Sequence, residues 1–301
     1  MTSNTVLVVA FDGLDKELIE EFGLENIPQK EFGVIDNNTL ISERKTSELF
    51  ASFITGENYK EHSIEGVGGW TNERIESLEN ALDGIKFFDK FKGLRSAVYE
   101  SVNFFDAQKT YPKKEDLEIE TIFDKVDDSR ALFVPSYNPG SLWLVGPWQM
   151  MNHGFTPEEV CEEWDGRSYE HRKRKLWSEL QNDIVSPRNL LMCHFHRADV
   201  YQHIYSFENQ ANRAKLRKVY IELDQFAGRI KDLALEQGYD TVIFMSDHGL
   251  PIEKSHNKNA FYSSNKELFG DEIPHITDFH DKILELIKFS ESKETCEVYS
   301  E

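Results

Sequence analysis

The sequence predicts an α/β fold that opens on a strand of a parallel sheet. Residues 5–11 form a continuous apolar, β-branched run, which is typical of a strand buried on both faces. Behind this run, four apolar side chains recur at helical spacing: Leu14, Leu18, Ile19 and Phe22. Gly23 suits the C-cap of that helix. A strand and a helix joined at Asp12-Gly13 form the opening unit of a parallel α/β sheet.

The same patterns place the later elements. Four further segments are candidate buried strands, at residues 96–100, 131–134, 190–195 and 241–245. A long helix is expected from about residue 209 to residue 237, because apolar side chains recur there at helical spacing. Two strands rich in Leu, Val and Ile end in turns that carry acidic or histidine residues. Such turns are typical of the ligand-binding carboxyl edge of an α/β sheet.

The domain organisation is expected to be simple. The 301 residues are interpreted as one α/β domain spanning 1–301. Residues 101–187 differ in pattern and contain scattered aromatic residues, so we interpret them as a cap or insertion packed over the sheet. Within that region, the basic run 171–175 is interpreted as a solvated helix face, with a site for an anionic substrate or partner as the alternative.

Composition excludes several classes of function. Lys and Arg number 34 against 54 Asp and Glu, which gives a formal net charge of −20. Non-specific nucleic-acid binding needs cations that neutralise phosphates, so no nucleic-acid partner is expected.

The three widely spaced cysteines indicate no disulfide framework and favour a reducing compartment. The sequence shows no signal peptide and no apolar run of about 20 residues, so we expect a cytoplasmic protein without a membrane partner.

Acidic and imidazole side chains occur together at three places. Asp12 follows the first strand, Asp199 and His203 follow the strand at 190–195, and Asp247-His248 follows the strand at 241–245. His256 lies eight residues beyond His248. Carboxylate oxygen and imidazole nitrogen are the ligands of zinc and also of manganese. The pattern therefore favours a metal site.

Each of these signals has a simpler interpretation. An aspartate after a strand is commonly a helix cap or a turn former, an Asp-x-x-x-His pair is commonly a surface hydrogen bond, and Asp-His-Gly is commonly a turn. The remaining histidines are interpreted first as structural or exposed residues: His153, His171, His194, His196, His275 and His280. The order of the three signals along the chain strengthens the metal interpretation.

Thr46 is the candidate nucleophile. It opens a short predicted helix that closes at Thr55-Gly56. A helix N-terminus favours negative charge, and a nearby dication would lower the pKa of the hydroxyl. The alternative is that Thr46 is only an N-cap, and this segment by itself leaves the two interpretations even.

As an ordered set, these motifs resemble the alkaline phosphatase superfamily, and within it the type I phosphodiesterase/nucleotide pyrophosphatase branch. The set comprises Phe11-Asp12-Gly13, Thr46, Thr55-Gly56, His62-Ser63-Ile64, Asp199 with His203, Asp247-His248-Gly249 and the stretch from His256 to Tyr262. The resemblance spans residues 5–265 and is thin in the middle. It implies a three-layer sandwich around a central, mostly parallel sheet, with a cap insertion and two divalent metal ions, usually zinc, with manganese as the alternative.

The resemblance also implies roles for individual residues. One metal would be held by Asp12, Thr46, Asp247 and His248, and the other by Asp199, His203 and His256. Thr46 would attack phosphorus and form a phospho-threonine intermediate, which makes the expected activity a phosphodiesterase or phosphatase acting on a small phosphate ester. His62 would support the nucleophile helix without being catalytic. His275 and His280 are the substitutes for His256, which follows the Asp-His-Gly turn closely.

Departures from the branch limit the expected substrate. Ser63 to Gly69 lacks the asparagine that nucleotide-cleaving relatives carry after this histidine, so nucleotide pyrophosphatase specificity is not predicted. Thr46-Ser-Glu-Leu lacks the Pro and Arg of sulfatases, which disfavours that class. A phosphomonoesterase, another phosphoryl or sulfuryl transferase and a non-catalytic metal-binding module stay open as alternatives. Four side chains of the middle region are candidates to contact a ligand: Trp143, Trp148, Tyr137 and Arg172.

Overall fold

A six-stranded mixed sheet forms the centre of the protein. The computed structural model describes residues 4–38, 41, 45–64, 111–140, 150–151, 154–182, 187–205, 209–252, 255–256 and 260–297. The sheet strands are β1 (Val6–Phe11), β2 (Glu31–Val34), β3 (Ser129–Leu132), β4 (Leu190–Phe195), β5 (Thr241–Met245) and β8 (Phe261–Ser264), and β6 (Pro251–Ile252) and β7 (Ser255–His256) form a separate hairpin. The sheet order is β2-β8-β5-β1-β4-β3. Strands β3, β4, β1 and β5 are parallel, and β8 runs antiparallel to both of its neighbours.

Helices cover both faces of this sheet. They are α1 (Lys16–Glu21), α2 (Thr46–Thr55), α3 (Tyr59–His62), α4 (Ile122–Lys125), α5 (Gly166–Asn182), α6 (Arg197–Ile204), α7 (Gln210–Glu236) and α8 (Asp278–Glu297). Side chains of α1, α5, α6 and α7 pack in one apolar cluster, and those of α2, α4 and α8 pack in another. The described helices therefore form two layers around the sheet.

Strand β1 shows why helices must cover both faces of the sheet. Its residues alternate between the two clusters, with Leu7, Val9 and Phe11 on one face and Val6, Val8 and Ala10 on the other. All six side chains are buried. Successive side chains of a strand point to opposite faces, so a run that is apolar at every position can only be covered on both sides. The predicted three-layer α/β fold is confirmed.

Most element predictions agree with the structure. The bounds of β4 and β5 are as predicted, β1 begins one residue later than expected, and α7 differs by one residue at each end. The strand expected at 131–134 lies instead at Ser129–Leu132. The chain leaves the sheet early because Phe133 takes a left-handed conformation with φ of 59°. The strand expected at 96–100 lies outside the described residues.

The middle region contributes to the main body of the fold. Within 101–187, β3 pairs with the edge of β4 and α5 packs against the sheet. The basic run at the centre of α5 was expected to be a solvated face, and this is wrong for Arg172, which is 2% exposed. Helical periodicity explains the difference, because about 3.6 residues per turn place the five consecutive positions 171–175 all around the helix axis, so that one of them faces the core. In the part of the chain that the structure describes, no helix is long and apolar enough to cross a membrane.

Candidate metal and phosphoester site

Three acidic and imidazole side chains meet at the carboxyl edge of the sheet. One ligand-type atom each from Asp12, Asp199 and His248 lies within 4.8 Å of the other two. Asp12 follows β1, Asp199 lies in the helix after β4, and His248 follows β5. These three strands are adjacent and parallel, so their carboxyl ends lie side by side. The sheet topology therefore brings together residues that are 187 and 49 positions apart in the sequence.

His248 is the centre of this cluster. Its Nε2 lies 3.1 Å from Asp12 Oδ1, 3.5 Å from Asp247 Oδ2 and 3.9 Å from Asp199 Oδ1. Its Nδ1 lies 2.9 Å from the carbonyl oxygen of Gly249. That oxygen can only accept a hydrogen bond, so Nδ1 carries a hydrogen and Nε2 is directed at the carboxylates. Metal-ligating histidines are commonly oriented by a hydrogen bond of this kind.

Asp247 brings a second fully buried carboxylate to the site. Its side chain is 0% exposed, and neither carboxylate oxygen has a hydrogen-bond partner among the described residues. The backbone of Asp247 is held in place by Asn37, whose Nδ2 donates to its carbonyl oxygen at 2.7 Å. A buried carboxylate without hydrogen bonds is costly, and a coordinated cation would satisfy it. This donor set fits a divalent metal ion.

The charges of the site act strongly on one another. Burial raises the pKa of Asp12 well above its usual value, and the neighbouring charges of Asp247 and Asp199 raise it further. Burial would lower the pKa of His248, but Asp247 and Asp12 overcome this effect and raise that pKa to about 10. The site thus gathers three carboxylates, those of Asp12, Asp199 and Asp247, around the imidazole of His248. This is the electrostatic environment that a dication stabilises.

Thr46 is the first residue of α2 and faces the same cluster. Its Oγ1 lies 3.4 Å from Asp12 Oδ2 and 3.4 Å from His248 Nε2. The N-cap of α2 is Lys45, so the interpretation of Thr46 as the N-cap is wrong. The hydroxyl is thus placed beside the N-terminal backbone N–H groups of α2, in contact with the carboxylate–imidazole cluster.

Asp199 and His203 form a second pair on α6. They lie one helical turn apart, and His203 Nε2 is 3.2 Å from Asp199 Oδ1. The charge of Asp199 raises the pKa of His203. Asp199 can approach Asp12 because residue 13 is a glycine with φ of 76°, and a Cβ there would lie 2.9 Å from the Cα of Asp199. The Asp12-Gly13 turn therefore has a steric role in assembling the site.

His256 is the residue expected to join Asp199 and His203 as a ligand, and only its backbone is described. The backbone of His256 pairs with Pro251 in the β6–β7 hairpin, directly after the Asp247-His248 turn, and its side chain lies outside the described part. The two substitutes have other surroundings. His275 Nδ1 lies 3.3 Å from Thr277 Oγ1, and His280 Nδ1 lies 2.7 Å from Asp281 Oδ1. Neither substitute belongs to the cluster around His248.

His194 was not predicted to lie near the cluster, and Arg172 was predicted only as a residue that could contact a ligand. His194 is fully buried in β4 with its Nε2 3.3 Å from Asp12 Oδ2, and Arg172 Nη1 lies 3.2 Å from its Nδ1. Burial and the charge of Arg172 lower the pKa of His194 well below its usual value. A histidine in the otherwise apolar run Leu190–Phe195 was the available sequence signal for this contact.

Two of the four candidate ligand contacts of the middle region, Arg172 and Tyr137, lie within the described residues. Arg172 is buried beneath the site and therefore does not reach a ligand from the surface. The ring centroid of Tyr137 lies 4.6 Å from that of Phe123, which places Tyr137 against the apolar cluster of α2, α4 and α8. Trp143 and Trp148 lie outside the described residues.

The carboxyl edge of this α/β sheet thus gathers aspartates, histidines and a helix-terminal threonine. The chain belongs to the type I phosphodiesterase / nucleotide pyrophosphatase family, whose family model matches residues 6–266. The recognition of that branch from the sequence motifs is confirmed.

Two solved structures are similar to this chain. Both are murine ectonucleotide pyrophosphatase / phosphodiesterase 5 (ENPP5, NPP5), one of them an inactive form in complex with AMP. The TM-score is 0.48 for both, with 13% sequence identity to the AMP complex and 14% to the other. Each comparison covers 82% of this chain and 57% of the murine chain, so this chain spans little more than half the length of those relatives. No match is found among curated proteins.

Proposed function

We propose that this protein is a two-metal-dependent phosphoester hydrolase that acts through a phospho-threonine intermediate at Thr46. The observation that carries the proposal is the position of Thr46 Oγ1, 3.4 Å from both Asp12 Oδ2 and His248 Nε2 at the start of α2. A hydroxyl beside an acidic and imidazole cluster at a helix N-terminus is suited to attack an anionic phosphorus centre.

We assign the donors to two sets, one for each ion. Asp12, Thr46, Asp247 and His248 would hold one ion, and Asp199, His203 and His256 the other. The mixture of carboxylate and imidazole donors suits Zn²⁺ and, second, Mn²⁺. When bound, two such ions supply Lewis-acid stabilisation of the phosphoryl oxygens and lower the pKa of a coordinated hydroxyl.

The protein residues carry out the bond changes. Thr46 Oγ1 attacks phosphorus as its proton is lost to solvent, and the bond from phosphorus to the leaving alkoxide breaks. The alkoxide takes up a proton from solvent and leaves as the alcohol. In the second half-reaction, water attacks the phosphoryl group and loses a proton, the bond from Thr46 Oγ1 to phosphorus breaks, and Thr46 Oγ1 takes up a proton that restores the hydroxyl. The N-terminal N–H groups of α2 stabilise the phosphoryl charge in both halves.

The decisive variant is Thr46→Ala. With bis-p-nitrophenyl phosphate and added Zn²⁺ or Mn²⁺, we expect turnover to fall by at least about 10³-fold, because the nucleophile is removed. Ser47→Ala is the matched control, since it removes the neighbouring hydroxyl of the same helix and should retain wild-type turnover. Parallel assays with p-nitrophenyl phosphate measure the preference between diesters and monoesters.

Detection of the proposed phospho-threonine intermediate is an independent test of the nucleophile. Rapid acid quenching of wild-type protein during turnover should leave a phosphoryl group on the peptide that contains Thr46, detectable by mass spectrometry. Thr46→Ser should retain a measurable rate, since it keeps a hydroxyl at the same position. If Thr46→Ala hydrolyses either substrate at the wild-type rate, the nucleophile assignment is wrong.

A further inference from the structure

A buried chain of three polar side chains runs from helix α5 to the site. Arg172 Nη1 lies 2.7 Å from the carbonyl oxygen of His194 and 3.2 Å from its Nδ1. On the other side of the ring, His194 Nε2 lies 3.3 Å from Asp12 Oδ2. Arg172 is 2% exposed, and His194 and Asp12 are 0% exposed. No solvent-exposed group is part of this chain.

The donors and acceptors determine the state of the imidazole. A guanidinium can only donate hydrogen bonds, so Nδ1 of His194 must accept the one from Arg172 and carries no hydrogen. The remaining nitrogen of a neutral imidazole is then an N–H donor. His194 Nε2–H therefore donates to the carboxylate of Asp12.

The result is a fixed orientation for Asp12. One oxygen, Oδ2, accepts from His194, and the other, Oδ1, is directed at His248 Nε2 at 3.1 Å. We propose that Arg172 and His194 are positioning residues, and that Arg172 sets the tautomer of His194 so that His194 holds the Asp12 carboxylate in the orientation required to bind a divalent ion. This inference rests on the proposed function for the identity of the ion.

The surroundings of Arg172 support positioning rather than substrate contact. Its guanidinium carbon lies 4.8 Å from the ring centroid of Phe133, so a planar cation is held between an aromatic ring and β4. A lysine offers neither that planar shape nor the same fixed donor geometry. Arg172 also places a permanent positive charge behind the carboxylates of the site.

The first test measures Zn²⁺ affinity, by competition with a chromogenic chelator, in three proteins. His194→Leu removes the donor, and we expect its affinity for Zn²⁺ to fall about 10- to 100-fold, the usual effect of losing an outer partner of a metal ligand. In His194→Gln, the amide nitrogen occupies nearly the position of Nε2, so most of the wild-type affinity should return. Equal affinity in His194→Leu and wild type, or equal loss in both variants, would overturn the proposal.

The second test needs no metal. In metal-free protein labelled with ¹⁵N-histidine, the ring nitrogens of His194 should show the tautomer with hydrogen on Nε2, assigned by the signals lost in His194→Gln. Arg172→Leu should change the tautomer or its exchange, whereas Arg174→Leu, on the exposed side of the same helix, should not. An Nδ1–H tautomer in wild type, or an unchanged spectrum in Arg172→Leu, contradicts the proposal.

The two tests separate this inference from the proposed function. If wild-type protein binds Zn²⁺ without hydrolysing phosphate esters, the function fails and the affinities still decide the role of His194. If wild-type protein binds no Zn²⁺, the metal-binding function fails and the orientation of Asp12 toward an ion fails with it. The ring spectra would then show only whether Arg172 sets the tautomer.

Discussion

At the scale of single residues, Gly13 determines how closely Asp12 and Asp199 can approach. Its φ is 76°, and a Cβ would lie 2.9 Å from both the Cα and the Cβ of Asp199. The clash involves backbone, so side-chain rotation cannot relieve it. We expect Gly13→Ala to displace α6 and to weaken Zn²⁺ binding in addition to lowering the free energy of unfolding.

The variant Gly23→Ala separates the steric contact with Asp199 from the cost of placing alanine in a left-handed conformation. Gly23 has a similar φ of 66°, but nothing lies within 4 Å of its added Cβ. Gly23→Ala should therefore show only the cost of a left-handed alanine, about 1–2 kcal/mol in the free energy of unfolding, with unchanged Zn²⁺ affinity. Denaturant unfolding and a chelator competition measure both quantities. Equal Zn²⁺ affinity in the two variants would contradict a steric role for Gly13.

At the scale of elements, local patterns predicted the strands that are buried on both faces. β1 is a continuous apolar run, β4 and β5 are apolar except for His194 and Thr241, and α7 shows a long helical period between Asn209 and Gln237. β2 and β8 were not predicted. The residues of β2 are only partly buried, and both strands are four residues long, so neither periodicity nor length distinguishes them from loop.

The same reasoning explains what was predictable in the site. Asp12 directly follows β1, and Asp247 and His248 lie two and three residues beyond the end of β5, so a parallel sheet alone is enough to bring them together. Arg172 could not be assigned in this way, because its place beside His194 depends on how α5 packs against β4. A run of basic residues has the same pattern whether one member faces the core or solvent.

Helix α2 carries Thr46, and His62 anchors this helix from α3. His62 is buried, its Nε2 lies 2.9 Å from Ser52 Oγ, and its Nδ1 accepts from the backbone N–H of Ile64. Burial lowers the pKa of His62 from its usual 6.5 to about 4. The unfolded chain therefore binds a proton that the folded chain excludes between these values. Stability contributed by neutral His62 is complete above pH 6.5 and decreases as the pH falls toward 4.

We therefore expect His62→Gln to flatten the pH dependence of the free energy of unfolding between pH 6.5 and 4. Other histidines also titrate in this range, so the relevant quantity is the difference in slope between wild type and variant, at most about 1.4 kcal/mol per pH unit. Ser52→Ala is the control, since it removes the partner of His62 but keeps the titrating ring. If wild type and His62→Gln have the same slope, neutral burial of His62 does not anchor α2.

At the scale of the whole molecule, the chain is acidic overall and also gathers several carboxylates at one site. The chain has a net charge of −20, and Asp12, Asp199 and Asp247 meet at one edge of the sheet around His248. Salt screens surface charges over about 8–10 Å, but it does little for carboxylates that are buried. Folding without a cation therefore retains a repulsion between these carboxylates that a bound ion would relieve.

Removal of metal should consequently lower both stability and activity. A ligand that binds only the folded state adds about 2.7 kcal/mol to the free energy of unfolding at 100 times its Kd, so treatment with chelator should lower the Tm and abolish phosphoester hydrolysis, and added Zn²⁺ should restore both. Asp247→Asn should show a smaller Zn²⁺-dependent rise in Tm than wild type, because a buried ligand of one of the two ions is lost, and added NaCl should not replace Zn²⁺. Unchanged turnover and Tm after exhaustive chelation would show that the carboxylate cluster serves the fold without a metal.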